Sequence, residues 1–110
     1  MLEAKLQQLL LARLNTIPGV WAWRQNTGVA RMGGRLVRFG IPGQADISGV
    51  IRGGWRLEVE VKSDTGVQSP EQADFQRRLE EQGGLYILAR ELEPVLAAVR
   101  AAIDLEVHRG

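Results

Sequence analysis

The chain has no cysteine. Disulfides, thiol nucleophiles and cysteine-ligated zinc are thereby excluded, and a reducing compartment is compatible with the composition. It has one histidine, His108, two residues from its end, which argues against a Ser-His-Asp triad or a histidine-rich metal centre. No apolar run approaches the length of a membrane span. The opening Met1-Leu2-Glu3-Ala4-Lys5 lacks the basic and long apolar regions of a secretory signal, so the expectation is a cytoplasmic protein with no membrane partner. Internal repeats, low-complexity tracts and linkers are also missing. With 110 residues and 45% hydrophobic content, residues 1–110 are expected to form one domain around one core.

Two stretches with period-2 alternation, Ala45 to Ile51 and Trp55 to Lys62, flank Arg52-Gly53-Gly54, the pattern of a β-hairpin with a three-residue loop. Leu57, Val59 and Val61 alternate with Arg56, Glu58, Glu60 and Lys62, giving one apolar face and one charged face. Pairing apolar with apolar sets Ile47 against Val59, and therefore Asp46 against Glu60. Opposed residues have Cβ atoms about 5 Å apart, and like charges there destabilise a sheet unless something compensates. A divalent cation is the obvious compensation.

The rest of the chain surrounds this hairpin. Leu2 to Leu14 has the spacing of an amphipathic helix that ends at Pro18-Gly19. Val20 to Asn26 reads as a strand, residues 29–34 as a loop containing Gly33-Gly34, and Arg35 to Phe39 as a second strand. Ser69-Pro70-Glu71-Gln72 has the composition of a capping box with proline at the first helical position. Gly83-Gly84 ends that helix, Leu85 to Ala89 reads as a short strand, and a last helix runs from Glu93 or Pro94 to about Leu105. This order predicts an α/β fold with a mixed central sheet.

Asp46 followed by Glu60-Val61-Lys62 on the adjacent strand resembles the metal centre of the PD-(D/E)XK nuclease superfamily. More narrowly, the chain is similar to stand-alone VRR-NUC domains. The resemblance rests on Glu3-x-x-Leu6-Gln7, Arg24-x-Asn26-x-Gly28, Gly33-Gly34 and Gly40-x-Pro42-Gly43-x-Ala45-Asp46. It continues through Gly49, Glu60-Val61-Lys62, Gly66, Ser69-x-x-Gln72 and Gly83-Gly84. Two departures stand out: Ala45 takes the place of a proline directly before the aspartate, and Glu58 adds an acid to the charged face.

The resemblance implies a restriction-endonuclease-like α/β sandwich with helices flanking the sheet. It further implies a metal-dependent DNA endonuclease that selects branched or four-way-junction DNA, acting as a homodimer. Asp46, Glu60 and the Val61 backbone carbonyl would hold Mg²⁺ or Mn²⁺, hard ions that prefer oxygen. Lys62 would act beside them in catalysis. Glu3 would reach toward the metal, although an acid in the first turn of a helix is also favoured by the helix dipole alone. Gln72 would belong to the active site, whereas the local sequence makes it the return partner of the Ser69 cap. Arg24 and Asn26 would contact substrate, against a plain turn role for Asn26.

The net charge of +1 conceals an asymmetry: residues 20–62 hold Arg24, Arg31, Arg35, Arg38, Arg52, Arg56 and Lys62 against Asp46, Glu58 and Glu60. Arginine suits forked phosphate contacts, so Arg24, Arg31, Arg35 and Arg38 are expected to track DNA. The competing readings are a non-catalytic nucleic-acid binding module on the same fold, a transferase or tRNA-cutting nuclease on a related scaffold, an exposed cross-strand charge cluster for Asp46, Glu60 and Lys62, and, for the arginines, a solvated sheet edge whose charges discourage aggregation.

Overall fold

The computed structural model describes residues 2–25 and 28–109. The elements in chain order are α1 (Glu3–Leu14), β1 (Val20–Arg24), β2 (Gly28–Met32), β3 (Arg35–Phe39), β4 (Ile47–Ile51), β5 (Trp55–Val61), α2 (Pro70–Glu81), β6 (Leu85–Ala89) and α3 (Leu92–Arg109). Four strands form one mixed sheet in the order β1-β4-β5-β6, with β5 and β6 parallel and the other pairs antiparallel. The parallel pair needs a crossover, and α2 supplies it.

Alternation within the strands divides the sheet into two unlike faces. Ala22, Ile47, Ile51, Leu57, Val59, Val61 and Ala89 point to one side and form the core with Leu6, Leu10 and Leu14 of α1 and Val95, Leu96, Val99 and Ile103 of α3. Fully burying each of these large side chains contributes about 1.5–3 kcal/mol. The α1 stripe is narrower than its leucine content suggests: Leu2 is exposed, and Leu6, Leu10 and Leu14 at i, i+4 spacing do the packing. Asn15 ties α1 to β1, its side chain both accepting from the Ala22 amide (2.9 Å) and donating to the Ala22 carbonyl (3.0 Å).

The second face carries Trp21, Trp23, Ser48, Val50, Arg56, Glu58, Glu60 and Tyr86. Helix α2 lies over its β5–β6 half, with Phe75 against the Tyr86 ring (centroids 6.4 Å apart) and Gln72 on Glu60. The β1 side is left open.

One expected loop is a strand. Residues 29–34 contain most of β2, which pairs with β3 in a separate two-stranded ribbon. Gly33 and Gly34 have φ of +57° and +78°, and Met32 pairs with Arg35 across them. Two consecutive positive-φ residues make the two-residue primed turn that matches strand twist, so Gly-Gly here closes a hairpin. The ribbon leaves the sheet at the end where β1 stops and β4 starts, and residues 31–42 are all exposed. No helix among the described residues is long and apolar enough to cross a membrane.

Candidate metal centre and its surroundings

Hairpin β4–β5 has the register expected from its pattern, with Ile47 opposite Val59 and Ser48 opposite Glu58. Asp46 stands one residue before β4 and is held from two sides. Its carbonyl accepts from the Gln25 amide and its carboxylate Oδ2 accepts from the Val61 amide, both at 2.8 Å. Glu60 is 4% exposed; Oε1 accepts from Gln72 Nε2 at 2.8 Å, and Oε2 is buried with no hydrogen-bond partner. Burial first, then the Asp46 charge, push the Glu60 carboxyl up to about 8, while Lys62 pulls the other way. The two carboxylates lie close enough to hydrogen-bond, but only if one of them carries a proton. When both are ionised, Glu60 Oε2 is a buried oxygen without a hydrogen-bond donor, its charge offset in part by Lys62, and a proton or a cation there would satisfy it.

Such a pair fits a hard divalent ion. Mg²⁺ is typically bound through one or two carboxylates, retaining several waters, so a large acidic cage is not required. Among the described residues no group of three or more His, Cys, Asp or Glu side chains forms a cage of that kind. Asp46 and Glu60 are the two carboxylates brought together here, and Val61, whose amide donates to Asp46, is the next residue along β5.

Gln72 resolves two roles that had seemed exclusive. Its Oε1 accepts from the Ser69 amide (2.9 Å), and Ser69 Oγ accepts from the Gln72 amide (3.1 Å), completing the capping box. The same side chain donates through Nε2 to Glu60. A carboxamide has a separate donor and acceptor, so one glutamine both caps the helix and fixes the carboxylate. The loop before Asp46 docks on the same helix start: Gly43 has φ of +79°, and a Cβ there would lie 2.2 Å from the Glu71 carbonyl oxygen. Only glycine allows this approach. Gly49 has a different explanation, since a Cβ there would lie 2.8 Å from the Trp21 carbonyl oxygen, which makes it a strand-packing residue.

Lys62 follows β5, its amide bonded to the Ala89 carbonyl at 2.9 Å and its side-chain stem packed beside Gly66. The turn that carries it is clamped from both ends of the chain. Arg90 donates to the carbonyls of Ser63 and Gly66, and Glu3 Oε1 accepts from the Ser63 amide at 2.8 Å. Glu3 thus comes to the site as a positioning group, near enough that its charge also raises the Glu60 pKa.

The charged face is not a solvated cluster. Glu58 is 1% exposed and hydrogen-bonded to Ser48 Oγ (2.7 Å) and Arg56 Nε (3.1 Å). Burial raises its pKa, opposed by Ser48 and Arg56. Its carboxylate is therefore engaged in a structural network with Ser48 and Arg56. An exposed charge cluster does not describe side chains buried this deeply.

Arg24, Arg31, Arg35 and Arg38 are all exposed. Arg24 ends β1 beside the Asp46 end of the sheet, and the other three stand on the ribbon. Asn26 lies outside the described residues. Sequence reasoning missed Ser48 and Arg90. Ser48 was readable from the register that sets it opposite Glu58, whereas Arg90 reaches partners 24 and 27 residues upstream, for which local sequence carries no signal.

Compared with protein-family models, curated proteins and solved structures, the chain matches none.

Proposed function

We propose that the protein is a metal-dependent, structure-selective DNA endonuclease on a restriction-endonuclease-like sandwich. The observation that carries this reading is the Asp46–Glu60 pair, in which two carboxylates meet and one buried oxygen lacks a partner. Bound Mg²⁺ or Mn²⁺ would supply Lewis acidity at the scissile phosphate and a water of lowered pKa. Asp46, Glu60 and the Val61 carbonyl would hold it, and the Gln72 hydrogen bond keeps Glu60 from rotating away. Lys62 supplies positive charge where charge develops on the phosphoryl oxygens, in a turn rigidified by Arg90 and Glu3. Water adds to phosphorus and the bridging 3′ oxygen leaves, giving a 5′-phosphate and a 3′-hydroxyl.

Arg24, Arg31, Arg35 and Arg38 contact the phosphate backbone. The ribbon also exposes Met32, Leu36, Val37 and Phe39, apolar surface that a second copy would cover. A dimer with two-fold-related sites matches the symmetry of a four-way junction. One observation favours a non-catalytic DNA-binding module instead: among the described residues no three His, Cys, Asp or Glu side chains group as a metal cage, and Glu3 is engaged with the Ser63 amide.

Incubation of the purified protein with flap, four-way-junction and linear DNA in Mg²⁺ separates the two. Cleavage that stops in EDTA and is lost in Asp46→Asn is expected. Salt-dependent binding with no cleavage in either Mg²⁺ or Mn²⁺ would establish the binding module.

A further inference from the structure

Beyond the carboxylate pair, the open half of the same sheet face carries an aromatic and cationic surface with no role in the hydrolytic chemistry. Trp21 and Trp23 have ring centroids 5.0 Å apart at 54°, and the Arg56 guanidinium lies 5.5 Å above the Trp23 ring. Arg56 is fixed there by Glu58, a buried carboxylate 3.0 Å away, so the cation is pre-oriented before any ligand arrives. Trp21 is 69% exposed, a large indole left in water on an edge strand. Beside it opens a shallow cleft of ≈ 380 Å³ lined by Val20, Trp21, Val50, Arg52 and Gly54, within the ~300–1,000 Å³ range of small-ligand sites. Arg52, on its wall, has no acidic partner among the described residues.

The register gives the distance to the hydrolytic site. Trp23 lies in the row of Ser48 and Glu58, and Trp21 in the row of Val50 and Arg56. Rows on one face are about 7 Å apart, so the two indoles stand roughly one and two rows along the strands from Asp46 and Glu60. The ribbon arginines leave the sheet at the opposite end of that line. Between Arg13 and Glu58 the only acid is Asp46, against Arg24, Arg31, Arg35, Arg38, Arg52 and Arg56. A polyanion running from the ribbon past the carboxylate pair therefore meets the tryptophans next. The aromatic faces are matched by bases that are free to stack, which a paired duplex does not offer.

We propose that Trp21 and Trp23, with Arg52 and Arg56, form a stacking platform for unpaired DNA bases flanking the scissile phosphate. The inference rests on the nucleic-acid reading above. It gives a physical basis for choosing DNA with unpaired nucleotides: ribbon contacts read phosphates that every DNA has, whereas the platform reads bases that only unpaired strands present.

The test measures binding in EDTA by fluorescence anisotropy, with three labelled probes: a short oligothymidylate, an abasic oligomer of the same length, and a blunt duplex. The parent should bind oligothymidylate about tenfold more tightly than the abasic oligomer, one stacked base accounting for that factor. Trp21→Ala should erase the difference while leaving duplex affinity unchanged, and Trp21→Phe should restore most of it. Because Trp21 is largely exposed, the alanine variant keeps its core. Equal parent affinity for oligothymidylate and abasic oligomer, or unchanged oligothymidylate affinity in Trp21→Ala, would overturn the platform while leaving Mg²⁺-dependent cleavage intact. Base-dependent, Trp21-dependent binding by a parent that cleaves nothing would support the platform and reject the nuclease. No binding to any probe would overturn both.

Discussion

At the scale of single residues the proposed metal site turns on Glu60, whose buried carboxyl would have to lose a proton before holding a cation. Its pKa is raised from 4.5 to about 8 in the folded protein, so the stabilisation from its proton is complete below pH 4.5 and is lost as pH rises through about 8. In EDTA the melting temperature should therefore fall across that window, by at most about 1.4 kcal/mol of stability per pH unit from this group. Melts of Glu60→Gln, which carries no titrating proton at this position, should show a flatter profile. Cation binding displaces the proton, so Mn²⁺ affinity measured by calorimetry should weaken as pH drops below about 8, with proton uptake by the buffer. Lys62 makes a second, separable prediction. Lys62→Met should reduce cleavage by roughly 10²–10³-fold, the loss seen when one charge-stabilising group is removed, while calorimetry shows Mn²⁺ binding nearly unchanged. Near-normal cleavage by Lys62→Met would make the lysine a structural neighbour of Glu60.

Elements bring these residues together, and the decisive contact is between the Asp46 loop and the first turn of α2. Gly43→Ala forces a Cβ against the Glu71 carbonyl and strains a positive φ, so both stability and cleavage should fall. Ser69→Ala should cost about 1 kcal/mol through the lost cap, near 4 °C in melting temperature, yet retain cleavage because Gln72 still reaches Glu60. Thermal melts and cleavage rates of the two variants distinguish a loop that builds the site from a cap that only supports the helix. Much of this was legible in the chain. The hairpin register followed from Ile47, Val59 and the three-residue loop, and the α2 start from Ser69-Pro70-Glu71-Gln72. What was not legible depended on distant partners. Burial of Glu58 and Glu60 requires α2 to fold back over an apparently polar face, and the Arg90 clamp joins β6 to a turn before α2. Strand β2 escaped notice because Val29-Ala30-Arg31-Met32 alternates weakly, and its partner and Gly-Gly turn define it more than its own composition does.

Across the whole molecule, a four-stranded sheet carries a projecting two-stranded ribbon, and exposed arginines stand on the ribbon and at the end of β1. The exposed apolar side chains Met32, Leu36, Val37 and Phe39 of the ribbon are the surface proposed to meet a second copy. Light scattering should report a dimer, and Leu36→Glu, at a position 68% exposed in one copy, should shift it toward monomer without lowering the melting temperature of the fold. A parent that remains monomeric would remove the dimer from the account. Thermal melts of the parent and Asp46→Asn, each in EDTA and in Mn²⁺, test without a substrate whether Asp46 and Glu60 form a divalent-cation site. At about tenfold excess over Kd, Mn²⁺ should stabilise the parent by about 1.4 kcal/mol and raise its melting temperature by a few degrees. Asp46→Asn, freed of carboxylate repulsion and still able to accept from the Val61 amide, should melt at or above the parent in EDTA and gain little from Mn²⁺. A parent that melts at the same temperature in EDTA and in Mn²⁺, with Asp46→Asn clearly less stable in EDTA, would contradict the metal site and leave Asp46 a structural residue.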